Sequence, residues 1–136
     1  MNQREITTRM KEKGLRITPQ RYAVYANLLS RHDHPTVEDI LIEINKELPI
    51  ASKASVYSAL TVLREIGLVD EVLLDEGVTR YDGRVTPHHH CICQRCGAIA
   101  DLDWEIFGDI LRQPLPQGFQ FQTYQVTVKG LCRSCQ

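Results

Sequence analysis

Four cysteines in the last third of the chain form two Cys-x-x-Cys pairs. The first pair is Cys93 and Cys96, and the second pair, Cys132 and Cys135, follows after 35 intervening residues. Each pair can form a turn that directs two thiolates to one point, and two such turns complete a tetrahedral sulfur site for Zn²⁺. Because four thiolates leave no open coordination position, we predict a structural zinc site rather than a catalytic one. Two intramolecular disulfides and an iron–sulfur cluster are the alternatives.

The fifth cysteine, Cys91, lies two residues before Cys93. We interpret it as a buried, unreactive thiol that faces away from Cys93, and a redox role is the alternative.

A second group of possible metal ligands contains only histidine and aspartate. His88, His89 and His90 are consecutive, so on a strand His88 and His90 share a face and can meet one metal ion. A polar surface is the alternative interpretation of such a triplet. The other candidate ligands are His34, Asp82 and Asp101. Nitrogen and oxygen donors suit Fe²⁺ or Mn²⁺, and also Zn²⁺, so we predict an exchangeable site.

The composition is that of a globular protein. Hydrophobic residues make up 43% of the 136 residues and charged residues 24%, which excludes disordered and fibrous classes. No apolar run approaches the roughly 18 residues of a membrane span, and the polar N-terminus is unlike a signal peptide. We therefore expect a cytoplasmic protein with no membrane partner.

The net charge of −1 hides a gradient along the chain. Residues 1–31 contain seven Lys/Arg against two Asp/Glu, a local charge of +5, whereas residues 32–87 contain five against eleven, a local charge of −6. Because DNA affinity depends on where cations meet phosphates, the basic first segment permits nucleic-acid binding. A basic surface with no ligand is the alternative.

Capping residues predict three helices in the first part of the chain. The first runs from Gln3 to Lys13. The second has Thr18 as N-cap and Pro19 at its first position. The third begins at Pro35-Thr36, where Thr36 and Asp39 can form a capping box. Its predicted core face consists of Val37, Ile40, Leu41, Ile44 and Leu48.

A fourth helix and a hairpin complete the predicted N-terminal domain. The helix follows Pro49, is capped by Ser52 or Ser55, and ends at Gly67. Its buried face is Val56, Leu60, Leu63 and Ile66, and its other face is Lys53, Tyr57, Ser58, Thr61 and Arg64. Strands at Leu68–Leu74 and Val78–Tyr81 flank a turn at Asp75-Glu76-Gly77. Helices followed by such a hairpin predict a winged helix-turn-helix, and a helical domain with an incidental hairpin is the alternative.

The predicted organisation is α+β, with residues 1–83 as the winged-helix domain, 84–87 as a hinge and 88–136 as a second domain. In the second domain the pattern predicts strands at His88–Ile92, Ala98–Leu102 and Phe119–Val128 and a helix at Trp104–Arg112. A domain this small buries too little apolar surface to fold unaided, so we expect it to need a metal or a partner subunit.

Four motifs together resemble the ferric uptake regulator family over nearly the whole chain. They are Gly14-Leu15-Arg16-Ile17-Thr18-Pro19-Gln20-Arg21, His34-Pro35-Thr36, Ala54-Ser55-Val56-Tyr57 and His88-x-His90-x-x-Cys93-x-x-Cys96-Gly97. The resemblance implies a homodimer with an N-terminal winged helix and a C-terminal α/β dimerisation domain. It also implies repression of genes through double-stranded DNA containing an AT-rich inverted repeat when metal is bound.

The resemblance also implies roles for individual residues. Tyr57 would pack against thymine methyls in the major groove, with Ser58 beside it on the recognition helix. Arg16 would enter a narrow minor groove, and Arg21 would support phosphate contact. The structural zinc would be bound by Cys93, Cys96, Cys132 and Cys135. The regulatory metal, Fe²⁺ or Mn²⁺, would be bound by His34, Asp82, His88, His90 and Asp101.

Within the family, the ligand set most resembles the peroxide-sensing repressors. Zinc sensors tend to have cysteine at the position of Asp82, and iron sensors tend to have glutamate at that of Asp101. An additional metal site of some iron sensors requires histidine where this chain has Tyr124. The resemblance therefore implies that peroxide oxidises His34 or His88 when Fe²⁺ is bound. An iron sensor, or a zinc or manganese sensor, is the alternative.

An enzyme is the main alternative of another class. A metallohydrolase would need an open coordination position, a general base and a substrate pocket. Because the sequence has no nucleophile motif and no glycine-rich phosphate loop, we predict that the protein is not an enzyme. A metal-storage protein would leave the winged helix unexplained.

Overall fold

The chain folds as two units, Met1–Val85 and Thr86–Gln136. The structure is a computed structural model, and it describes residues 1–46, 49, 51–73, 77–108 and 113–136. In those residues, no helix is long and apolar enough to cross a membrane.

The N-terminal unit consists of helices followed by a hairpin. The helices are α1 (Gln3–Glu12), α2 (Pro19–Leu29), α3 (Val37–Asn45) and α4 (Lys53–Glu65). The hairpin strands, β1 (Asp70–Leu73) and β2 (Thr79–Asp82), pair antiparallel with Asp70 opposite Asp82. This is the predicted winged-helix arrangement. The first strand begins at Asp70 rather than at Leu68, and the second has the predicted length but lies one residue later than Val78–Tyr81. The predicted turn positions 75 and 76 and the strand end at 74 lie outside the described residues, and Gly77 has a φ of +72°.

Predicted caps begin three of the helices. The Thr18 hydroxyl accepts a hydrogen bond from the Arg21 amide at 3.2 Å. At α3, the Thr36 hydroxyl accepts from the Asp39 amide at 3.2 Å, and the Asp39 carboxylate accepts from the Thr36 amide at 3.0 Å. Ser52, not Ser55, is the N-cap of α4, and Ser55 completes a reciprocal pair with it. Side chains thus satisfy amides that have no partner within each helix.

The helices of this unit enclose a large apolar core. Its most deeply buried members include Met10, Val24, Tyr25, Ile40, Val56, Leu60 and Leu63. Leu41, Ile44 and Ile66 were expected in the core but are only partly buried against it. The remaining predicted core residue of α3, Leu48, lies outside the described residues.

The C-terminal unit is built around a sheet in the order β4-β3-β5. Its central strand, β3 (His88–Cys93), pairs antiparallel with β4 (Ile99–Asp103) and parallel with β5 (Thr127–Gly130). Short 3-10 helices occur at Trp104–Phe107, Pro116–Gly118 and Arg133–Cys135.

Two predicted elements of this unit differ from the structure. A strand over Phe119–Val128 is wrong, because only Thr127–Gly130 is a strand, while Phe119 and Phe121 are 72% and 47% exposed. The segment joins the central strand at Val126, whose carbonyl accepts a hydrogen bond from the His90 amide at 3.1 Å. In the predicted helix Trp104–Arg112, a 3-10 helix covers Trp104–Phe107, and positions 109–112 lie outside the described residues.

Candidate metal centres

The topology of the C-terminal unit brings the two Cys-x-x-Cys pairs together. Cys93 ends β3, and the parallel pairing places it opposite Gly130, two residues before Cys132. After Cys93 the chain turns back tightly, and the Gly97 amide donates to the Cys93 carbonyl at 2.9 Å. Gly97 has a φ of +78°, a conformation that favours glycine, which explains why this residue follows the first pair.

The four sulfur atoms form one compact group. All four Sγ atoms lie within 4.8 Å of one another, and those of Cys96 and Cys132 are 3.6 Å apart. Sulfurs about 2.3 Å from a common zinc ion in tetrahedral geometry are roughly 3.8 Å apart, whereas a disulfide needs about 2.05 Å. The donor set and its spacing therefore fit a structural Zn²⁺.

The electrostatics of the cysteines favour a bound cation. Backbone amides, first that of Cys132 and then that of Cys96, lower the pKa of Cys93 to about 5. A hydrogen bond with the Cys132 thiol, followed by burial, raises the pKa of Cys135 to about 12. Sulfurs this close cannot all ionise without a compensating charge, and a divalent cation supplies it.

Arg95 is a further residue of this centre that was not predicted from the sequence. Its guanidinium donates to the Cys135 carbonyl at 3.0 Å and so connects the first pair to the second. Its position inside the first Cys-x-x-Cys pair was visible in the sequence, but its partner 40 residues away was not.

Cys91 is not a member of the sulfur group, and its predicted placement was wrong. Residues two apart on a strand share a face, so Cys91 and Cys93 lie on the same face of β3. Cys91 is also partly buried rather than fully buried.

In the N-terminal unit, the structure brings His34 and Asp82 together. His34 Nε2 lies 3.3 Å from Asp82 Oδ2, and the His34 side chain is only 2% exposed. Asp82 is the last residue of β2, and its Oδ1 accepts from the Arg84 amide at 2.9 Å. A buried imidazole beside a carboxylate provides one nitrogen and one oxygen donor for a metal.

His34 has an unusual backbone conformation with a φ of +53°. Non-glycine residues in this region are strained and require support from their surroundings. On the C-terminal side, Arg80 donates to the His34 carbonyl at 3.2 Å, and the Tyr81 amide donates to the Pro35 carbonyl at 2.9 Å. The hairpin therefore holds the loop that presents His34.

An ion pair supports the same loop on its N-terminal side. Arg31 contacts both carboxylate oxygens of Asp33, at 2.9 and 2.8 Å, and its Nη1 donates to the Asp39 carbonyl at 3.3 Å. The hydrogen bond from Arg31 lowers the pKa of the Asp33 carboxyl. This pair was not predicted from the sequence.

In the C-terminal unit, the structure brings His88, His90 and Asp101 together. Asp101 lies opposite His90 in the β3–β4 register. Its Oδ1 is 3.5 Å from His88 Nε2 and 3.6 Å from His90 Nε2, and the two rings have centroids 4.7 Å apart. Both imidazoles are buried, while the Asp101 side chain is 29% exposed. As predicted, alternate residues of the triplet share a face, and they provide two nitrogens and a carboxylate oxygen.

His89 points away and belongs to an aromatic cluster. Its ring stacks on Trp104 with centroids 4.6 Å apart and lies 5.1 Å from Phe107 and 5.5 Å from Tyr124. Its Nδ1 accepts from the Val126 amide at 2.9 Å. This histidine therefore helps to build the core of the unit.

The residues predicted to contact DNA lie on the surface of the N-terminal unit. On α4, Tyr57 is 56% exposed and Ser58 is also exposed. Arg16 is exposed, and Arg21 donates to the Arg16 carbonyl at 2.8 Å, so it braces the backbone that presents Arg16. The basic residues of α4 form ion pairs, Lys53 with Glu38 and Arg64 with Glu71.

Comparison with known families identifies the chain. The model of the ferric uptake regulator family matches residues 12–129. The chain belongs to the ferric uptake regulator family. It is therefore a metal-responsive transcriptional regulator and not an enzyme, as the motifs predicted.

Individual members of the family show the similarity in detail. The peroxide-responsive repressor PerR of Staphylococcus aureus strain Mu50 is 33% identical over 129 residues, which cover 93% of this chain and 86% of the relative. The ferric uptake regulator Fur of Helicobacter pylori has the same fold, with a TM-score of 0.82, 23% identity and coverage of 99% of this chain and 94% of the other. A zinc uptake regulator in complex with zinc and DNA gives a TM-score of 0.70 and 26% identity, with 97% and 91% coverage.

Proposed function

We propose that this family member is a DNA-binding repressor that senses hydrogen peroxide through a regulatory metal ion. The proposal assigns the ion, Fe²⁺ or Mn²⁺, to His34, Asp82, His88, His90 and Asp101. In this proposal, a homodimer with the metal bound represses its genes, and oxidation by peroxide in the presence of Fe²⁺ ends repression.

The arrangement of Asp101 carries the proposal. One of its carboxylate oxygens lies 3.5 and 3.6 Å from Nε2 of His88 and His90, and both imidazoles are buried. The N-terminal unit contributes the buried imidazole of His34 and, 3.3 Å from it, the partly buried carboxylate of Asp82. Nitrogen and oxygen donors without thiolate suit Fe²⁺ and Mn²⁺ and permit exchange.

A single ion bound by donors of both units would couple metal binding to DNA binding. Two donors belong to the N-terminal unit, which carries the DNA-contacting residues, and three to the C-terminal unit. Metal binding then favours one DNA-binding conformation, and a coupling of about 1–3 kcal/mol changes DNA affinity roughly 5–150-fold.

Similarity to a peroxide-responsive repressor supports the choice of signal. The match to that relative covers 93% of this chain. By the family resemblance drawn from the sequence motifs, Asp101 corresponds to the aspartate of peroxide sensors. Bound Fe²⁺ would activate peroxide by one-electron transfer. Overall, H₂O₂ would transfer one oxygen atom to the imidazole of His34 or His88 and leave as water, with the imidazole as the two-electron donor. The oxidised ring would no longer bind the ion, so the protein would release DNA.

On the DNA side, we propose that Tyr57 and Ser58 of α4 contact the major groove of an AT-rich inverted repeat. Arg16 enters the minor groove, and Arg21 supports a phosphate contact. The exposure of Tyr57 and Arg16 and the similarity to a regulator in complex with DNA support this assignment. The homodimer follows from family resemblance, and the structural Zn²⁺ at the four cysteines stabilises its C-terminal unit.

The test compares peroxide treatment of the Fe²⁺-loaded and Mn²⁺-loaded proteins. We expect the Fe²⁺ form to gain the mass of one oxygen atom at His34 or His88 and to release operator DNA in a mobility-shift assay. The Mn²⁺ form should do neither, because Mn²⁺ does not readily reduce peroxide. Exposed His32, two residues from His34, is an internal control that fragment spectra can resolve.

An iron-responsive repressor, the alternative function, would release DNA when Fe²⁺ is removed and would keep its histidines intact in peroxide. Oxidation confined to cysteines would indicate a thiol switch and would contradict the proposal.

A further inference from the structure

The two candidate ligand imidazoles of β3 have chemically different partners at Nδ1. His88 Nδ1 lies 2.7 Å from the Thr86 carbonyl oxygen, which can only accept a hydrogen bond. His88 therefore carries its proton on Nδ1, which leaves the lone pair of Nε2 available for a metal. His90 Nδ1 lies 2.8 Å from the side-chain amide nitrogen of Gln125.

The Gln125 amide permits two arrangements, because it has a donor and an acceptor end. With its NH₂ group donating to Nδ1, His90 carries its proton on Nε2 and cannot bind a cation through that atom. With the amide turned by about 180°, Oε1 accepts from Nδ1–H and the Nε2 lone pair is free. Each arrangement keeps one hydrogen bond. The first is the one observed, with the Gln125 amide nitrogen toward His90 Nδ1, and the second becomes favourable when a cation occupies Nε2.

We propose that Gln125 is a positioning residue that selects the tautomer of His90, and that its amide turns when a metal ion binds. The inference depends on the proposed role of His90 as a ligand. His90 loses a proton from Nε2 and gains one at Nδ1, so the ring stays neutral. His88 needs no such change, since its carbonyl partner already fixes the tautomer that binds metal.

The backbone next to Gln125 keeps the amide beside His90. The Val126 amide donates to His89 Nδ1 at 2.9 Å, and the Val126 carbonyl accepts from the His90 amide at 3.1 Å. The backbone amide and carbonyl of Val126 are thus both hydrogen-bonded to residues of β3. Because Gln125 itself is exposed, its amide can turn without displacing the core.

Two substitutions of Gln125 change the hydrogen bond in opposite ways. In Gln125→Glu the carboxylate can only accept, so His90 keeps its proton on Nδ1 and is prepared for metal. In Gln125→Leu the Nδ1–H of His90 has no acceptor, so the tautomer that binds metal loses its hydrogen bond. Since such supporting residues change metal affinity about 10–100-fold, we expect Mn²⁺ to bind roughly 10-fold more tightly to the Glu variant and roughly 10-fold more weakly to the Leu variant. Gln122→Glu adds the same charge three residues earlier and should bind Mn²⁺ like the parent.

Imidazole ¹⁵N spectra of zinc-loaded protein without Mn²⁺ measure the tautomer directly. The parent should show His90 protonated at Nε2, and the Glu variant should show it protonated at Nδ1. His88 should be protonated at Nδ1 in both. A purely structural role for Gln125 would leave the His90 tautomer unchanged, and equal thermal unfolding of the variants would show that they fold alike.

An unchanged His90 tautomer in Gln125→Glu, or equal Mn²⁺ affinity in all three proteins, would overturn the inference. His90→Ala separates this failure from that of the proposed function. If His90→Ala loses Mn²⁺ binding while both Gln125 variants bind like the parent, only the tautomer inference falls. If His90→Ala binds Mn²⁺ normally, the regulatory site itself is wrong and the inference falls with it.

Discussion

The family resemblance implies that the position of Asp101 distinguishes peroxide sensors, with aspartate, from iron sensors, with glutamate, a difference of one methylene group. The Asp101 side chain reaches His88 and His90 from the neighbouring strand, with its carboxylate 29% exposed. The sequence pointed to His34, His88 and His90 through recognisable motifs, and to Asp82 and Asp101 through their positions beside the hinge and after the first Cys-x-x-Cys pair. It did not identify the residues that support them, because the Thr86 carbonyl is a backbone group and Gln125 lies 35 residues from His90.

Asp101→Glu tests whether this aspartate sets peroxide sensitivity. The substitution keeps charge and donor type, so we expect metal binding and DNA binding close to those of the parent. The longer side chain can chelate the ion or crowd the open position that peroxide needs, so histidine oxidation should be much slower. A time course of oxidised peptide at equal Fe²⁺ occupancy measures this effect. Equal rates in both proteins would contradict the role of Asp101.

Tyr57 and Arg16 should have separable effects on DNA binding. Tyr57→Ala removes the exposed ring from α4, and a lost base contact costs about 1–3 kcal/mol of discrimination. Tyr57→Phe keeps the ring and is the matched control. Arg16→Ala should instead weaken binding most at A·T-rich flanks. Titration of operator and altered duplexes measures both effects, and parental behaviour of both alanine variants would refute the docking proposal.

Among the elements, the helix starts and the strands β3 and β4 were predicted from local patterns, whereas the position and extent of β5 were not. Thr18, Thr36 and Ser52 cap their helices through residues three positions away, so the sequence alone contains the whole interaction. The alternation in Phe119–Val128 suggested a strand, but a strand also needs a neighbour for its backbone. The parallel pairing to β3 covers only Thr127–Gly130, which no local pattern specifies.

The C-terminal unit should depend on zinc for its stability. Its buried side chains, within the described residues, are only His88, His89, His90 and Cys93. A core this polar stabilises little by apolar burial, whereas structural zinc contributes roughly 10–16 kcal/mol in small zinc peptides. Cys96→Ser should therefore lose the tightly bound zinc and the dimer, as measured by metal analysis and sedimentation. Cys91→Ser, outside the sulfur group, should keep both, and a stable zinc-free dimer would contradict the prediction.

At the scale of the whole molecule, positive charge is concentrated in one segment of the chain, whereas the candidate metal donors are spread over both units. The first 31 residues have a local charge of +5, whereas the candidate regulatory donors come from both units, two from Met1–Val85 and three from Thr86–Gln136. The sequence motifs predicted the family and the α+β fold, which the comparisons confirm. The motifs did not determine the signal, since the proteins to which the chain is similar include peroxide-responsive, iron and zinc regulators.

If one ion couples the two units, metal and DNA must affect each other equally. Mn²⁺ should tighten operator binding by a factor of roughly 5–150, and operator DNA should tighten Mn²⁺ binding by the same factor, because coupling free energies are reciprocal. Mn²⁺ is the appropriate probe because it avoids oxidation. His34→Ala removes a donor from the N-terminal unit and His90→Ala removes one from the C-terminal unit, so each should abolish the coupling. Fluorescence titrations of labelled operator and competition with a metal indicator measure the two factors. Coupling that persists in His34→Ala would show that His34 does not bind the regulatory ion.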